Sequence, residues 1–473
     1  MPKKTISKKY LRPRWNYLSQ TKGGVLIIDG VSAKDIAEKY GTPVYVFVER
    51  EIRNRMRRFK KAFPYQKLRV QLAGKTNSNL EILKIAREEG LEFDASSVGE
   101  IILGLLADFK PKQITFTNLY KTEQDIMFAA KIGVQAITAD SFQELRRINN
   151  AGKKLGVKIR TFMRINPMID YRDYTTRNHQ YGIPHSYAKK NIDYALESKH
   201  IDLIGFHFHG SYIKSPRIYY LAAQKLMNLA KYARDRGANI RYIDLGGGFP
   251  VEWGTKSVFQ PEDMGEDFVK YFQNLAKGAG FEDLKLVFEP GKFMTANAGV
   301  GLMKVVSRKQ LPKKKIIVTD GSTYAFVPDV MIYHCYYDIL PATRMDQRRT
   351  RVYNIAGCTC DSIDVIGKNR WLPKMHEGDL LAIMDIGAYS NVMASNFNSI
   401  KRAPMVMVAM DGSTKLIKRG DRYSEMFAPE LDVLKLADSK ELLELYHLRT
   451  TIEKIWRGEK KKKNAKRKKT KKS

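Results

Sequence analysis

Several short apolar runs in this 473-residue chain end in residues able to do chemistry. Lys75 lies in Gly74-Lys75-Thr76-Asn77, Asp94 in Phe93-Asp94-Ala95, and Arg164 in Arg164-Ile165-Asn166. His207 and His209 share His207-Phe208-His209-Gly210-Ser211, and Glu289 opens Glu289-Pro290-Gly291-Lys292. A lysine amine can form a Schiff base with a carbonyl, and a carboxylate can keep an aromatic nitrogen protonated. Gly246, Gly247 and Gly248 follow another apolar run, where a backbone without side chains can approach an anion and turn N–H groups toward it. Taken singly, each has an ordinary explanation: a lysine at a strand end is usually on the surface, and three glycines can be a tight turn. Their recurrence at the ends of successive runs is the signal.

The runs that position them are Leu68–Ala73, Leu91–Ala95, Gln113–Thr117, Gln135–Thr138, Ile159–Ile165, Leu203–Phe208, Ile240–Leu245 and Leu284–Phe288. Segments with helical spacing separate most of them, including 79–90, 141–156 and Tyr219–Arg236, so the pattern predicts a TIM (β/α)8 barrel rather than a doubly wound sheet. In such barrels the reacting groups gather where strands run into βα-loops, and the loops after strands seven and eight form the usual phosphate site. Gly246–Gly248 and Gly291 fall there. A phosphate cradle, a Schiff-base lysine and a carboxylate for a ring nitrogen together point to pyridoxal phosphate.

After residue 300 the runs at 314–320, 351–357, 379–387, 404–410 and 414–419 are rich in β-branched residues, with turn signals and little helix between them. They predict a C-terminal all-β domain, barrel or sandwich, that also takes up N-terminal strands on either side of a helix at Ala33–Tyr40. The expected organisation is a basic extension (1–22), N-terminal strands (23–47), the barrel (48–300), the β-domain (301–430), a helix (431–456) and a lysine-rich tail (457–473). The composition, 43% hydrophobic and 28% charged, suffices for such cores and excludes a small scaffold or a disordered chain. No run reaches the ~18 apolar residues of a membrane span, and the N-terminal stretch lacks the apolar core of a signal peptide. A cytoplasmic protein without membrane insertion is expected. Three cysteines, Cys335, Cys358 and Cys360, make no disulfide framework.

The formal charge is +33, with eleven Lys/Arg against one Glu between Arg457 and Ser473 and six more basic residues in the first fourteen. Such a tail is expected to be solvated and able to touch RNA or other polyanions weakly. Two partial metal patterns are present. His207 and His209 lie at i and i+2 on one face of a strand, and Cys358 with Cys360 is half a zinc motif. No other strand end carries a histidine and the remaining ligand spacing is absent, so no metal is expected, and His207 reads as a packing or supporting residue.

In their order along the chain these motifs resemble the fold-type III pyridoxal-phosphate decarboxylases, the family of diaminopimelate and ornithine decarboxylases, from about Asp35 to about Glu430. The resemblance implies Lys75 as the Schiff-base lysine and FDASSVGEI as the segment with cofactor-side Asp94 and Glu100. It implies His209 stacked on the pyridine ring, Ser211, Gly246, Gly247, Gly248 and Gly291 near the phosphate, Arg164 at the cofactor, and Glu289 on the pyridine nitrogen. GCTCDSID is similar to the stretch in which a cysteine of the partner subunit, here Cys360, completes the site. That implies a homodimer with shared active sites. GAYS resembles the segment with a cofactor-contacting tyrosine, here Tyr389. Lys75, Cys360, Glu289 and His209 are the implied catalytic set.

For substrate, the resemblance implies α-decarboxylation of a basic amino acid, with meso-diaminopimelate to L-lysine leading and an ornithine, lysine or arginine decarboxylase of polyamine synthesis as the alternative. A non-catalytic paralogue and a polyanion-binding protein are the further alternatives. The segments around GTPVYVF, GDLLAIMDIGAYS and ASNFN resemble diaminopimelate decarboxylase most. Lys292, Asp361 and Tyr389 are the implied substrate contacts, yet Lys292 stands where that enzyme has arginine, and Val327 replaces a second arginine. Lysine cannot reproduce a planar two-pronged grip on a carboxylate, while Asp361 resembles the ornithine type, where a carboxylate faces an amine. Arg344, Arg348 and Arg349 are candidate substitutes. Leu72, where the family has tyrosine, and the shortened HGS segment are further departures.

Overall fold

Apolar residues on both sides of a strand require cover on both sides, and the runs from 68 to 288 obtain it by closing into a ring. A computed structural model, which describes residues 10–252 and 258–434, has eight parallel strands there. They are β1 (Leu68–Ala73), β2 (Glu92–Ala95), β3 (Ile114–Thr117), β4 (Ala136–Ala139), β5 (Ile159–Asn166), β6 (Ile201–His207), β7 (Tyr242–Asp244) and β8 (Lys285–Phe288). β8 pairs with β1, and β4 pairs with β5 through Ile137–Thr161 and Ala139–Met163, so the sheet has no edge within the barrel. Inside it Ala136, Phe162, Ile204, Tyr242 and Val287 form a core of their own.

Helices clothe the outside, and their starts are set locally. Ser97 and Ser141 cap Val98–Leu106 and Phe142–Leu155 by accepting the N–H groups of Glu100 and Glu144. Helices Leu80–Glu88 and Arg217–Arg234 fall on two of the segments predicted from spacing.

The second layer of structure is a mixed β-sheet domain. Its spine is Gly299–Gln310, a strand running through the boundary expected at residue 300, with Val44–Val48 antiparallel on one flank and Leu380–Met384 antiparallel on another. Lys315–Thr319, Arg351–Ala356 and Val365–Leu372 extend one side, and Met405–Val408 with Thr414–Lys418 extends the other. The N-terminal contribution is Val44–Val48 and the helix Ala33–Tyr40, whereas Leu18–Gln20, Leu26–Ile28 and Val31–Ser32 form a separate three-stranded sheet.

Val44–Val48 is buried along its whole length because it divides two cores. Tyr45 and Phe47 face the large core shared with the barrel, while Val44, Val46 and Val48 face a second core with Trp15, Leu26, Ile28, Val300, Leu302, Leu380 and Met384. The period-two alternation of a strand makes that division possible.

Residues from Asp421 form a unit of their own, in which helices Tyr423–Met426 and Ala428–Leu434 are described. Most of the expected helix 431–456, and the whole tail 457–473, lie outside the described residues. No helix among the described residues is long and apolar enough to cross a membrane.

Candidate active site

The turn Gly74–Thr76 leaves β1 and presents Lys75, whose Nζ donates to Asp94 Oδ2 at 3.2 Å. Asp94, on β2, is fully buried, but the lysine side chain keeps 34% of its exposure, so its amine opens into the site. Burial alone would lower the Lys75 pKa; Asp94 and then Glu289 outweigh it and push it up. Burial, reinforced by Glu289, raises the pKa of the Asp94 carboxyl to about 6 against the opposing pull of Lys75.

Glu289 follows β8 and is also buried, with Oε1 3.2 Å from His207 Nε2 but not aligned with it as a hydrogen bond. Against burial, His207 and Lys75 hold Glu289 well below the usual carboxylate range, so it is the settled anion of the group. Asp244, the last residue of β7, completes a cluster in which ligand atoms of His207, Asp244 and Glu289 lie within 4.8 Å of one another. Burial and the neighbouring Glu289 drive the Asp244 carboxyl well above its ordinary value. Two like charges this close in a low-dielectric site are costly, and the proton resides where the environment is less favourable to charge.

The glycines after β7 are required by close approach. A Cβ on Gly246 would sit 2.3 Å from the Phe208 carbonyl oxygen, and one on Gly247 would sit 2.5 Å from that of Glu289. Gly246 also adopts φ 63° and Gly248 φ 96°, both in the region that favours glycine. The resulting turn donates Gly247 N–H to His209 Nδ1 at 3.3 Å and packs Tyr219 Oη on the Gly247 carbonyl at 3.0 Å. The two histidines thus diverge, His207 toward Glu289 and His209 toward the glycine turn and Tyr181, whose ring centre lies 6.1 Å away. Burial, with Lys75 and Arg164 nearby, keeps His209 neutral by lowering its pKa well below the ordinary value. Gly291, beyond the end of β8, lets the chain pass against Thr76, whose Cγ2 would be 2.3 Å from an added Cβ.

The β-domain reaches this cluster through residues 387–390. Tyr389 donates its N–H to the Thr76 carbonyl at 2.8 Å, and Asn77 Nδ2 donates to the Gly387 carbonyl at 3.0 Å, on either side of the lysine turn. Lys292 Nζ lies 5.9 Å from the Tyr389 ring centre, and burial lowers its pKa while Cys335 and Asp329 oppose the shift. Glu100 accepts the Ser96 N–H at 2.6 Å and lies against Gly74. Arg164, on β5, donates from Nη1 to Asp140 Oδ1 at 3.0 Å and lies over the Tyr181 ring at 4.5 Å.

Three predicted residues stand differently. Cys360 is exposed, its Sγ 3.4 Å from Asn398 Oδ1. Asp361 accepts the hydroxyl of Tyr324, whose ring stacks on Phe397 at 4.2 Å. Ser211 lies in a loop where it and Tyr212 take φ 42° and 45°, an uncommon run of two left-handed residues without glycine. Sequence reasoning passes over Asp244, although a charge that closes an apolar strand just ahead of three glycines is visible in the sequence.

Six buried polar atoms around the opening have no hydrogen-bond partner among the described residues: Asp94 Oδ1, Asp244 Oδ2, Glu289 Oε1, Arg164 Nε and both ring nitrogens of His207. Orphaned groups of this kind each cost about 1–3 kcal/mol. Their concentration in one place, next to a glycine turn and an accessible amine, marks a site for a polar ligand.

Comparison with known proteins places the chain. The family described as "Pyridoxal-dependent decarboxylase, pyridoxal binding domain" matches residues 49–296. The diaminopimelate decarboxylase of Pseudomonas aeruginosa is 32% identical over 412 residues, covering 86% of this chain and 96% of that protein. That of Aquifex aeolicus is 29% identical over 432 residues, covering 89% and 100%. Among solved structures, the M. jannaschii diaminopimelate decarboxylase in complex with L-lysine superimposes with a TM-score of 0.80 at 29% identity, covering 88% of this chain and 98% of that one.

Proposed function

Because the chain belongs to the pyridoxal-dependent decarboxylases, and so is a carboxy-lyase that binds pyridoxal phosphate, we propose that its substrate is meso-diaminopimelate, which loses one carboxylate as CO2 to leave L-lysine. The observation that carries this reading is the end-to-end similarity to diaminopimelate decarboxylases, at about 30% identity and with nearly all of each relative covered.

The residues fit the cofactor. The Lys75 amine suits its aldehyde, the Gly246–Gly248 turn with Gly291 and Ser211 its phosphate, and the orphaned Glu289 Oε1 its ring nitrogen. His209, neutral and with its Nδ1 edge held by the Gly247 N–H, suits the ring face, with Asp94, Glu100, Arg164 and Tyr389 around it. When bound there, the cofactor supplies a ring that accepts the electron pair released as the carbon–carboxylate bond breaks. Glu289, anionic beside His207, keeps a proton on the nitrogen it faces. Lys75 holds a proton between Asp94 and Glu289 and delivers its amine only when that proton leaves. Cys360 of the partner subunit donates the proton that Cα takes up after CO2 departs, and its exposure within one protomer supports a two-fold dimer with shared sites. Lys292 and Tyr389, with Asp361 of the partner subunit, receive the distal end of the substrate.

One observation favours a second reading. Lys292 and Val327 offer a distal carboxylate one point charge in place of two guanidinium forks, which suits a substrate ending in an amine, as in an ornithine-type decarboxylase. CO2 release from the loaded enzyme, measured separately with meso-diaminopimelate, ornithine, lysine and arginine, decides between them. Release from diaminopimelate alone is expected; release from ornithine, lysine or arginine in its place overturns the substrate assignment, and release from none supports a non-catalytic paralogue. The basic tail adds weak polyanion contact and takes no part in the chemistry.

A further inference from the structure

The segments that follow β3 and β4, the first turn of helix Phe142–Leu155 and the end of β5 bring four charges together. Lys121 is fully buried; its Nζ donates to Glu144 Oε2 at 3.0 Å and to the Asn118 carbonyl at 2.7 Å, while its own N–H donates to Glu144 Oε1 at 2.9 Å. Glu144, equally buried in the first turn of Phe142–Leu155, also accepts the Asp140 N–H on Oε2 at 2.8 Å. Asp140 Oδ1 in turn accepts Arg164 Nη1 at 3.0 Å and the Gly182 N–H at 3.1 Å. Arg164 ends the line over Tyr181, and its Nε is buried with no hydrogen-bond partner among the described residues.

Two cations and two carboxylates cancel, but well-packed apolar side chains of the same volume are often as stable as a buried ion network. Stability alone therefore does not account for it. What the line fixes is geometry. Lys121 and two backbone N–H groups immobilise the Glu144 carboxylate, Glu144 and Gly182 immobilise Asp140, and Asp140 leaves Arg164 one orientation.

We propose that Asp140, backed by the Lys121–Glu144 pair, is a positioning residue for the site: it locks the Arg164 guanidinium against Tyr181 so that Nε is a fixed hydrogen-bond donor to the bound cofactor. The inference rests on the reading of Arg164 as a cofactor contact. Neither Asp140 nor Glu144 touches the reacting atoms, and both act through Arg164.

The test is titration of the full-length apo chain with pyridoxal phosphate, reading the dissociation constant and the circular dichroism of the bound chromophore. Asp140→Asn and Arg164→Gln should each weaken binding about tenfold, the loss of one charge-assisted hydrogen bond. The double variant should be little worse than either single one, since the two residues act as a unit. Glu144→Gln, which keeps the shape and an acceptor oxygen, should weaken binding less and shift the dichroism in the same sense; Asp140→Glu should recover part of the loss. Should Asp140→Asn not fold, Glu144→Gln carries the test. Variants that lower the melting temperature yet leave the dissociation constant and dichroism as in the wild type overturn the proposal, as does a double variant whose loss is the product of the two singles. Wild-type binding with an unaffected Arg164→Gln overturns the contact on which the proposal rests and the proposal with it, whereas an affected Arg164→Gln beside an unaffected Asp140→Asn overturns the proposal alone.

Discussion

Lys75, Asp94, His207, Asp244 and Glu289 stand at strand ends inside a closed barrel, where all but the lysine are buried and each is constrained by its neighbours. Cys360 and Asp361 lie on an exposed stretch of the β-domain, held by Asn398 and Tyr324 and by the stacking of Tyr324 on Phe397. The barrel half is ready before any ligand arrives: its charges are set by burial and by one another. The β-domain half offers a thiol and a carboxylate to solvent, and in the proposed dimer these act on the neighbouring protomer. Parallel strands fix side chains in place, while a loop can present them outward to a second chain.

The sharpest way to break this comparison is to disable each half in turn. Lys75→Ala should lower decarboxylation by about 10³-fold or more, and Cys360→Ala by about 10²-fold with cofactor binding intact. Mixing the two inactive proteins should restore about a quarter of the wild-type rate, because half of the randomly formed dimers carry one complete site of two. A mixture as inactive as its parts would place both residues in the same protomer's site.

A smaller effect is expected where the halves touch. Asn77→Ala removes the donor to Gly387 and leaves a buried carbonyl unpaired, which should cost about 1–3 kcal/mol in urea unfolding and weaken cofactor binding. An unchanged midpoint would mean that the Tyr389–Thr76 bond alone couples them. Smallest, and opposite in sign, is Asp244→Asn. A carboxyl whose pKa is raised by folding binds more protons folded than unfolded, so its contribution to stability is lost as pH rises from about 4. The asparagine keeps an acceptor for the Gly246 N–H and removes the titration. The apo variant should therefore unfold at higher urea than wild type at pH 7, and its midpoint should vary less between pH 4 and 7. Equal slopes would show that the proton lies elsewhere in the cluster.

Much of this was legible in the sequence, for a physical reason: a buried parallel strand is an uninterrupted apolar run, and a charge that ends one is conspicuous. All eight barrel strands, the helix Ala33–Tyr40 and the convergence of Lys75, Asp94, His209, Glu289 and the glycines were readable in that way. Among the β-domain strands, the two-residue Ile339–Leu340 and two long ones were not. Gly299–Gln310 begins with glycines pressed against Gly387 and Ile386 and ends in exposed Arg308, Lys309 and Gln310, so neither a run nor an alternation persists along it. Val365–Leu372 is interrupted by Gly367, Lys368 and Asn369 beside a bulge. Lys121 and Glu144 were silent because they look like ordinary loop and helix charges. Their complete burial arises only when the segments that follow β3 and β4 meet the end of β5, a tertiary fact without a local pattern. The engagement of Asp361 by Tyr324 is likewise a contact between distant segments.

The strand Val44–Val48 also sets a schedule for synthesis. Val46 is bordered by Val300 on one side and Val406 on the other, so an early, very apolar pentapeptide has no mate until most of the polypeptide has left the ribosome. The barrel, whose neighbouring strands are close in sequence, can close first, while the long loop spanning it delays the docking of that pentapeptide. During that interval five unpaired apolar residues are a sticky edge, and production of this protein should depend on chaperone supply and temperature more than the folding of its barrel does.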